Sequence, residues 1–416
     1  MAERTDVVVV GAGLAGLVCA AELQSRGIDT RLFEAADEVG GRVRTDIVDG
    51  HLCDVGFQLL NPAYPAVRRL VDVDALQLRP FAAGVRVRRG SGSVTLGDPR
   101  REPGLLLSTL RSGLLKPREI AGLVRWAAPV VVGAQRSLRG DDATLNDSLD
   151  AAGVRGPLRE QVLEPFLAGV LADGSGTTSA QYVKLLIRSF LLGTPAVPKD
   201  GMRALPAQLA SRLITPVETS VRVHGVDAGV SGVTVRTDAG SVDARAVVIA
   251  TDIRDASDLG AVPAGARMGG LITWWFSTPA GMPQDRLLTV DGDRGPVVNT
   301  AVMSAAAPSY APAGRDLVQV TTLAEAGLSD AAALQEARRL WSTDTTSTDT
   351  SDWNLLVRHD VTRALPTSPP PLHVRQPVDL GDGRFVCGDH RDTPSIQGAM
   401  VSGHRAAVAV RAALGG

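Results

Sequence analysis

Residues 6–34 read DVVVVGAGLAGLVCAAELQSRGIDTRLFE. The apolar run Val7-Val8-Val9-Val10 passes directly into Gly11-Ala12-Gly13-Leu14-Ala15-Gly16. A helical pattern follows, and a second apolar run closes on Glu34. Strand, glycine turn, helix and second strand within about 30 residues make a βαβ dinucleotide-binding unit. Gly11 permits the sharp exit from the strand, Gly13 leaves room for a pyrophosphate beside the backbone, and Gly16 lets helix and strand pack closely. Leu14 and Ala15 open the helix, whose free N–H groups and partial positive charge face the diphosphate. Glu34 ends the second strand, where a carboxylate accepts from ribose hydroxyls and repels a 2′-phosphate. The motif does not by itself choose between NAD and FAD, nor name a reaction.

The rest of the chain narrows the class. Its 416 residues exceed a single hydrophobic core, which predicts two domains, one inserted into the other. A composition 44% hydrophobic and 21% charged is that of a folded globular protein, and a net charge of −2 argues against a nucleic-acid partner. Cys19, Cys53 and Cys387 are widely spaced with no CxxC pair, which predicts a reducing, cytoplasmic setting. The six histidines show no metal-ligand spacing, so no metal is expected. The polar start Met1–Asp6 precedes too short an apolar run for a signal peptide, and no stretch approaches the roughly 20 residues of a membrane span.

Working outward, Gly40-Gly41-Arg42 shortly after Glu34 fits a loop beside a phosphate, with a guanidinium to neutralise it. Asp54–Pro62 reads as a strand-like piece entering a turn. From Tyr64 to Pro198 the pattern is mostly helical, with a strand pair near Val85–Leu96. Arg111–Ala134 is amphipathic and basic, divided by Pro117 and Pro129 into short helices. Such a stretch suits either an ordinary solvated helix or the surface of an acidic membrane. Helices are expected over Asp147–Leu163, interrupted near Gly156-Pro157, and over Gln181–Leu192. The apolar Glu164–Leu171 lines a pocket or packs the core. Beyond a helix at Arg203–Leu213, strands are expected at Pro216–Val223, Gly232–Thr237 and Ala246–Asp252, the last a buried parallel strand returning to the first sheet. A second strand-rich region holds Leu271–Ser277, Leu287–Val290, Val297–Met303 and Leu317–Leu323. After it come a helix at Ala331–Trp341, a loop at Ser342–Ser351 and a connector at Pro366–Pro371. Arg384–Asp389 is a short strand ending in Gly388-Asp389, and Ser395–Arg411 a helix.

With both ends in view, the chain resembles the FAD-dependent flavin-containing amine oxidase and phytoene desaturase superfamily over nearly its whole length. In that family the N-terminal glycines and acid, here Gly11, Gly13, Gly16 and Glu34, bind the adenosine half of FAD. A Gly-Gly-Arg segment follows, here Gly40-Gly41-Arg42, and a valine backbone, matched by Val217, meets the adenine. The C-terminal signature is matched by Val386-Cys387-Gly388-Asp389 and Ser395-Ile396-Gln397-Gly398-Ala399. There the acid meets the pyrophosphate and ribitol, and the start of the helix faces the flavin pyrimidine, where it stabilises negative charge on reduced flavin. The resemblance implies an α/β fold: a Rossmann-type, glutathione-reductase-like FAD domain with an inserted α+β substrate domain. The implied division is 1–60, 201–252 and 373–416 for the cofactor, 61–200 and 253–372 for the substrate. Ala35, Gly56, Phe57 and Gln58 join the implied cofactor set. FAD is expected to be non-covalent, because Cys387 precedes Gly388-Asp389 and does not stand where covalent relatives carry their cysteine.

The middle of the chain looks closest to the phytoene-desaturase-like bacterial branch. Two departures matter. None of Lys116, Lys184 and Lys199 matches the lysine that amine oxidases place near flavin N5. Of Trp274 and Trp275, strand alternation turns only one inward, and core packing is the simpler role for it. His390 and Arg391 would lie near the isoalloxazine and orient the loop. No catalytic residue is assigned. Three readings follow. The first is oxidation of a small hydrophobic molecule by hydride transfer from C–H to flavin N5, with dioxygen or another acceptor taking the electrons. The second is an isoprenoid or lipid desaturase docked peripherally on a membrane. The third is a flavin-binding protein without turnover of its own. Oligomeric state is left open.

Overall fold

The first sheet grows from the opening stretch. In the computed structural model, which describes residues 3–137, 140–229, 232–342 and 352–415, strand Glu3–Val10 lies parallel between Thr30–Phe33 and Gly240–Ile249. Val7, Val8 and Val9 are fully buried, the natural place for β-branched residues in a strand covered on both faces. Arg384–Val386 extends the sheet in parallel beyond Gly240–Ile249, and Asp379–Gly381 closes that edge antiparallel. The hairpin Val223–Gly229 and Gly232–Thr237 pairs antiparallel with the first half of Gly240–Ile249. The first and last helices, Leu14–Gln24 and Ile396–Leu414, touch through their backbones: a Cβ on Gly403 would lie 2.2 Å from the Ala15 carbonyl oxygen.

The second sheet orders its strands Asn354–Pro366, Met268–Pro279, Arg315–Leu323, Val297–Val302, Leu288–Asp291, Gly84–Arg89 and Gly92–Gly97. All pairs are antiparallel except Leu288–Asp291 beside Gly84–Arg89. Of the α-helices between residues 106 and 192, Leu106–Arg111 and Glu164–Leu171 contact it, and the others pack on one another beside it. Alternation does send Trp274 and Trp275 to opposite faces, yet both are fully buried, because both faces of this strand are covered. Trp274 packs with Leu340 and Trp341, and Trp275 joins Ala301 and Tyr310 in the cluster that also holds Val9 and Leu17. A single hydrophobic core therefore runs from one sheet to the other. The first sheet draws its strands from 3–33, 223–249 and 379–386, the second from 84–97, 268–323 and 354–366. We propose that these sheets centre the two domains drawn from the sequence.

Several expected elements are corrected. Residues 216–222 do not form the expected strand; Glu218 alone bridges Phe33, its N–H donating to Leu32 and its carbonyl accepting from the Glu34 N–H, both at 2.9 Å. The strand begins at Val223. The strand preceding Val55 ends at Asp54, and the following residues turn. Pro129 does not divide the helix Pro117–Ser137; the departure from helical geometry falls at Gly133, one turn later, while Pro117 starts the helix, where its missing N–H is harmless. Strand Asn354–Pro366 went unrecognised because charged residues at Arg358, Asp360 and Arg363 interrupt its apolar pattern. The expected loop at Ser342–Ser351 lies outside the described residues from 343 onward.

Candidate functional site

A cavity of about 910 Å³ runs from the glycine turn into the helical half of the molecule. At the turn, a Cβ on Gly13 would meet nothing within 4 Å, whereas one on Gly16 would lie 1.9 Å from the Gly11 carbonyl oxygen. Gly13 thus borders open space and Gly16 makes the tight helix–strand contact, so the two glycines do different work. Gly11 sits at φ +101°. Glu34 is held by two backbone donors, Ala12 N–H to Oε2 at 2.7 Å and Ala36 N–H to Oε1 at 2.9 Å. Each oxygen keeps a lone pair for a ribose hydroxyl. Gly40 N–H donates to Ala12 O, and Gly13 and Gly40 form a parallel bridge, so the Gly-Gly-Arg loop lies directly on the glycine turn.

Arg42 joins the two ends of the chain. Its guanidinium sits 2.8 Å from Asp389 Oδ1 and also donates to the Ala364 carbonyl. Burial works to lower the guanidinium, but Asp389 and, farther off, Asp252 raise it overall, so Arg42 stays charged. Gln58 Nε2 donates to the carbonyls of Arg42 and Val55 and fixes the loop. Across the cavity, Ser395 caps the helix Ile396–Leu414 by accepting from Gly398 N–H, and Ser402 Oγ is bonded to both the N–H and the carbonyl of Gly388. The uncapped first N–H groups of this helix and of Leu14–Gln24 both open on the cavity, whose wall includes Leu14, Ala15, Ile396 and Ala399. Two helix N-termini, a positive guanidinium and a carboxylate for ribose suit an elongated anion with a sugar at one end.

Beyond this region the cavity becomes apolar and aromatic. Five of the seven phenylalanines (Phe33, Phe57, Phe81, Phe166 and Phe190) and two of the three tyrosines line it, but none of the five tryptophans. Tyr64 and Tyr182 are neutral phenols, Tyr64 pushed up to about 12 by burial and Tyr182 raised for the same reason. Tyr182 OH donates to the Pro394 carbonyl and ties the chamber to the C-terminal signature. In the walls drawn from residues 59–195, 271–299 and 361–365, Asp98 is the acid present, and both its oxygens are held by Arg100. No lysine lines the cavity; the Lys184 ammonium stacks over Trp126 instead. Among the described residues no group of His, Cys, Asp and Glu could hold a metal.

Of the residues expected to bind the cofactor, Gly11, Gly13, Leu14, Ala15, Glu34, Ala35, Gly41, Arg42, Gly56, Phe57, Gln58, Gly388, Asp389, Ile396 and Ala399 share the cavity wall. Gly16 lies behind it in the helix–strand contact. Gly398 also lies behind, where a Cβ would sit 1.9 Å from Thr393 O. Gln397 turns away to accept from Ala66 N–H at 2.8 Å. Val217 is absent from the wall; Val221, Arg222, Val223 and His224 stand there instead. His390 is buried outside the cavity, its imidazole lowered to about 4 by burial. Thr251 and Asp252 also line the cavity and were missed. They follow the strand ending at Ile249, and the end of a parallel strand beside the glycine turn is where such sites form. The aromatic wall was missed as well, though the scarcity of aromatics was the available signal.

This geometry fits a class, the flavoprotein oxidoreductases with a dinucleotide-binding fold and a cavity that continues past it into an apolar chamber. The flavin containing amine oxidoreductase family model matches residues 14–411, and the chain belongs to that family of FAD-dependent oxidoreductases. The solved structure of putrescine oxidase bound to putrescine aligns with a TM-score of 0.74 at 18% identity, covering 98% of this chain and 99% of that one. Cyclohexylamine oxidase from Brevibacterium oxydans aligns at 0.73 and 17%, covering 99% and 100%. At these identities the likeness shows the fold. In sequence, the Mycobacterium tuberculosis protein AofH, which bears the name of a flavin-containing monoamine oxidase, is 29% identical over 266 residues, 59% of this chain and 56% of that protein. The chain spans about half the length of the curated relatives it matches. Its cofactor is FAD. The three cysteines are buried and outside the cavity wall, so the cofactor is held without a bond to sulfur. No helix among the described residues is long and apolar enough to cross a membrane.

Proposed function

We propose that the protein oxidises an uncharged, largely apolar small molecule at a C–H bond held against FAD. The observation that carries this reading is the continuity of one cavity from the glycine turn to a chamber walled by Phe57, Tyr64, Phe81, Phe166, Tyr182 and Phe190. FAD, when bound, supplies a hydride acceptor at N5 and a route for the electrons to dioxygen or another acceptor. Glu34, Arg42, Asp389 and the two helix N-termini would hold it. The chain's own further contribution is orientation and exclusion of water: aromatic walls position the substrate, and their low polarity disfavours charged molecules. A diammonium substrate would find one carboxylate in the chamber walls, Asp98, already held by Arg100. An amine substrate would therefore enter neutral.

Anaerobic addition of neutral amines, alcohols and polyenes to the holoprotein tests the reading. Bleaching of the flavin band by one apolar class, and none by putrescine, is expected. If putrescine bleaches it fastest, the apolar reading fails; if nothing does, the alternative of a flavin protein without turnover stands. Rapid reoxidation in air after photoreduction marks an oxidase, slow reoxidation a dehydrogenase or desaturase.

One observation supports the second reading, a lipid or isoprenoid substrate drawn from a membrane surface. Leu107, Leu110 and Leu192 are more than half exposed, at 56%, 66% and 54%. Arg101 ties their two segments together by donating to the Phe190 and Leu191 carbonyls, and Arg101 and Leu191 line the cavity. Leu192 thus stands next to the cavity-lining Leu191, and Leu107 and Leu110 follow the cavity-lining Arg101, with Arg111, Lys116 and Arg118 next in sequence.

A further inference from the structure

Asn299 stands out in the chamber as a polar group with an unfinished bond. It is 4% exposed and lines the cavity. Its Oδ1 accepts from Gln319 Nε2 at 3.1 Å. Gln319 Oε1 in turn accepts from Thr321 Oγ1 at 2.9 Å, and Thr321 Oγ1 is 2.9 Å from Thr273 Oγ1. Gln319, Thr321 and Thr273 are fully buried. Four side chains on three neighbouring strands therefore form one chain of hydrogen bonds ending at the cavity.

The chain has a direction. Among the described residues Thr273 Oγ1 has no other partner, so if it accepted from Thr321 its own proton would be orphaned in the core. With Thr273 donating, every hydroxyl proton is used: Thr273 to Thr321, Thr321 to the Gln319 carbonyl, and the Gln319 amide to Asn299 Oδ1. The Asn299 Nδ2 group is left over, and it has no acceptor among the described residues.

Two local features aim that group. Strand Val297–Val302 carries a bulge: Val297 pairs with Thr322 and Asn299 with Thr321, so Val298 is the extra residue. Without it Asn299 would share a face with Val297, which packs toward Trp341; with it Asn299 joins the face of Ala301. Opposite, Gly169 clears the space, for a Cβ there would lie 2.3 Å from Asn299 Nδ2.

We propose that Asn299 orients the substrate, its Nδ2 donating to a carbonyl, hydroxyl or ether oxygen on an otherwise apolar molecule. This rests on the apolar-chamber reading above and adds that the substrate carries a hydrogen-bond acceptor at a fixed place on its skeleton. The amide is held by its relay before the substrate arrives, so little orientation is lost on binding.

Cyclohexanone and methylenecyclohexane share a ring and differ in the acceptor. Each is titrated anaerobically into the holoprotein, binding being followed by the flavin spectrum and by saturation-transfer NMR. The wild type should bind the ketone about tenfold tighter, the factor a single neutral hydrogen bond supplies. Asn299→Leu should abolish that preference and leave the alkene unchanged. Gly169→Ala should reduce it through the displaced amide, with no change at position 299. Equal weakening of both probes by Asn299→Leu would reduce Asn299 to a packing residue, and a wild type without preference would remove the inference while the apolar chamber stands. If neither probe binds the wild type, the apolar-chamber reading falls, and this inference with it.

Discussion

The two ends of the cavity are built from different parts of the chain. At the glycine turn the backbone shapes the wall: helix N-termini, N–H groups holding Glu34, and glycines whose missing Cβ leaves room or contact. At the far end side chains shape it, from segments spread between Leu59 and Leu365. Backbone recognition depends on local geometry and so leaves a compact motif. Side-chain recognition depends on which residues happen to meet and leaves none. The cofactor end is accordingly written in short stretches, and the substrate end is dispersed.

The largest expected effect separates two glycines of one motif. Gly16→Ala forces a Cβ onto the Gly11 carbonyl, where the neighbour is backbone and cannot move aside. A loss of about 3 kcal/mol is expected, read as a lower melting temperature of the apoprotein. Gly13→Val should leave apoprotein melting unchanged and reduce the flavin-to-protein ratio after purification, because its side chain would occupy cofactor space. If both variants melt alike, the distinction between packing glycine and binding glycine is lost.

Arg42→Met comes next. It strands the Asp389 carboxylate, whose side chain is 4% exposed against 32% for Arg42. An unpaired buried charge costs several kcal/mol, and the partial exposure of Arg42 reduces this to about 2 kcal/mol. Adding Asp389→Asn should recover part of the stability in denaturant titrations without recovering FAD affinity.

The seam between the two ends predicts a pH effect of similar size. Asp54 lies fully inside, accepting from Thr45 Oγ1, Met202 N–H and Tyr310 OH, and so ties the Thr45–Asp54 hairpin to the turn Pro308–Tyr310 between two strands of the second sheet. Burial raises its carboxyl to about 6 from 3.8. Between those values the folded protein holds a proton that the unfolded chain has released, so this group makes stability fall as pH rises from about 4 to 6. His390 opposes it. Its imidazole, lowered to about 4 from 6.5, stays neutral when folded and takes up a proton when unfolded, so stability falls as pH drops through the same range. Each contribution is about 3 kcal/mol. Asp54→Asn should therefore expose the acid sensitivity of His390, steepening the loss of stability between pH 6 and pH 4 in urea titrations at fixed pH. An unaltered slope would remove Asp54 from this role.

The smallest effect tests the exposed leucines. Changing Leu107, Leu110 and Leu192 together to Ser should alter stability by less than about 0.5 kcal/mol per site, as exposed positions do. If the chamber fills from a membrane, flotation with anionic vesicles should be lost. A wild type that does not float would retire the membrane reading.

Read from the sequence, the parallel strands of the first sheet and its glycine turn were legible, because a parallel strand buried on both faces and a glycine turn each leave a local pattern, whereas the edge strands Val223–Gly229 and Asp379–Gly381 were not. The C-terminal signature was legible for the same reason. Val217 lies outside the cavity wall, which takes Val221 to His224 instead, because the expected strand at 216–222 does not form and the chain becomes a strand only at Val223. Gln397 turned away because the neighbouring Ala66 N–H needed an acceptor. Asn299 gave no signal at all, since a bulge at Val298 decides its direction and depends on the pairing partner across the sheet.

By itself, then, the sequence determined the glycine turn, the acid that closes the second strand, the Gly-Gly-Arg segment and the closing helix, each a short pattern within one stretch of chain, although Ala12 reaches 22 residues along to Glu34 to hold the acid in place. Only the tertiary structure decided that Arg42 meets Asp389, that both adjacent tryptophans are buried, that rare aromatics converge on one chamber, and that Asn299 faces into it. Those depend on distant segments meeting, and the free energy of that meeting belongs to the packed core, not to any one stretch of chain.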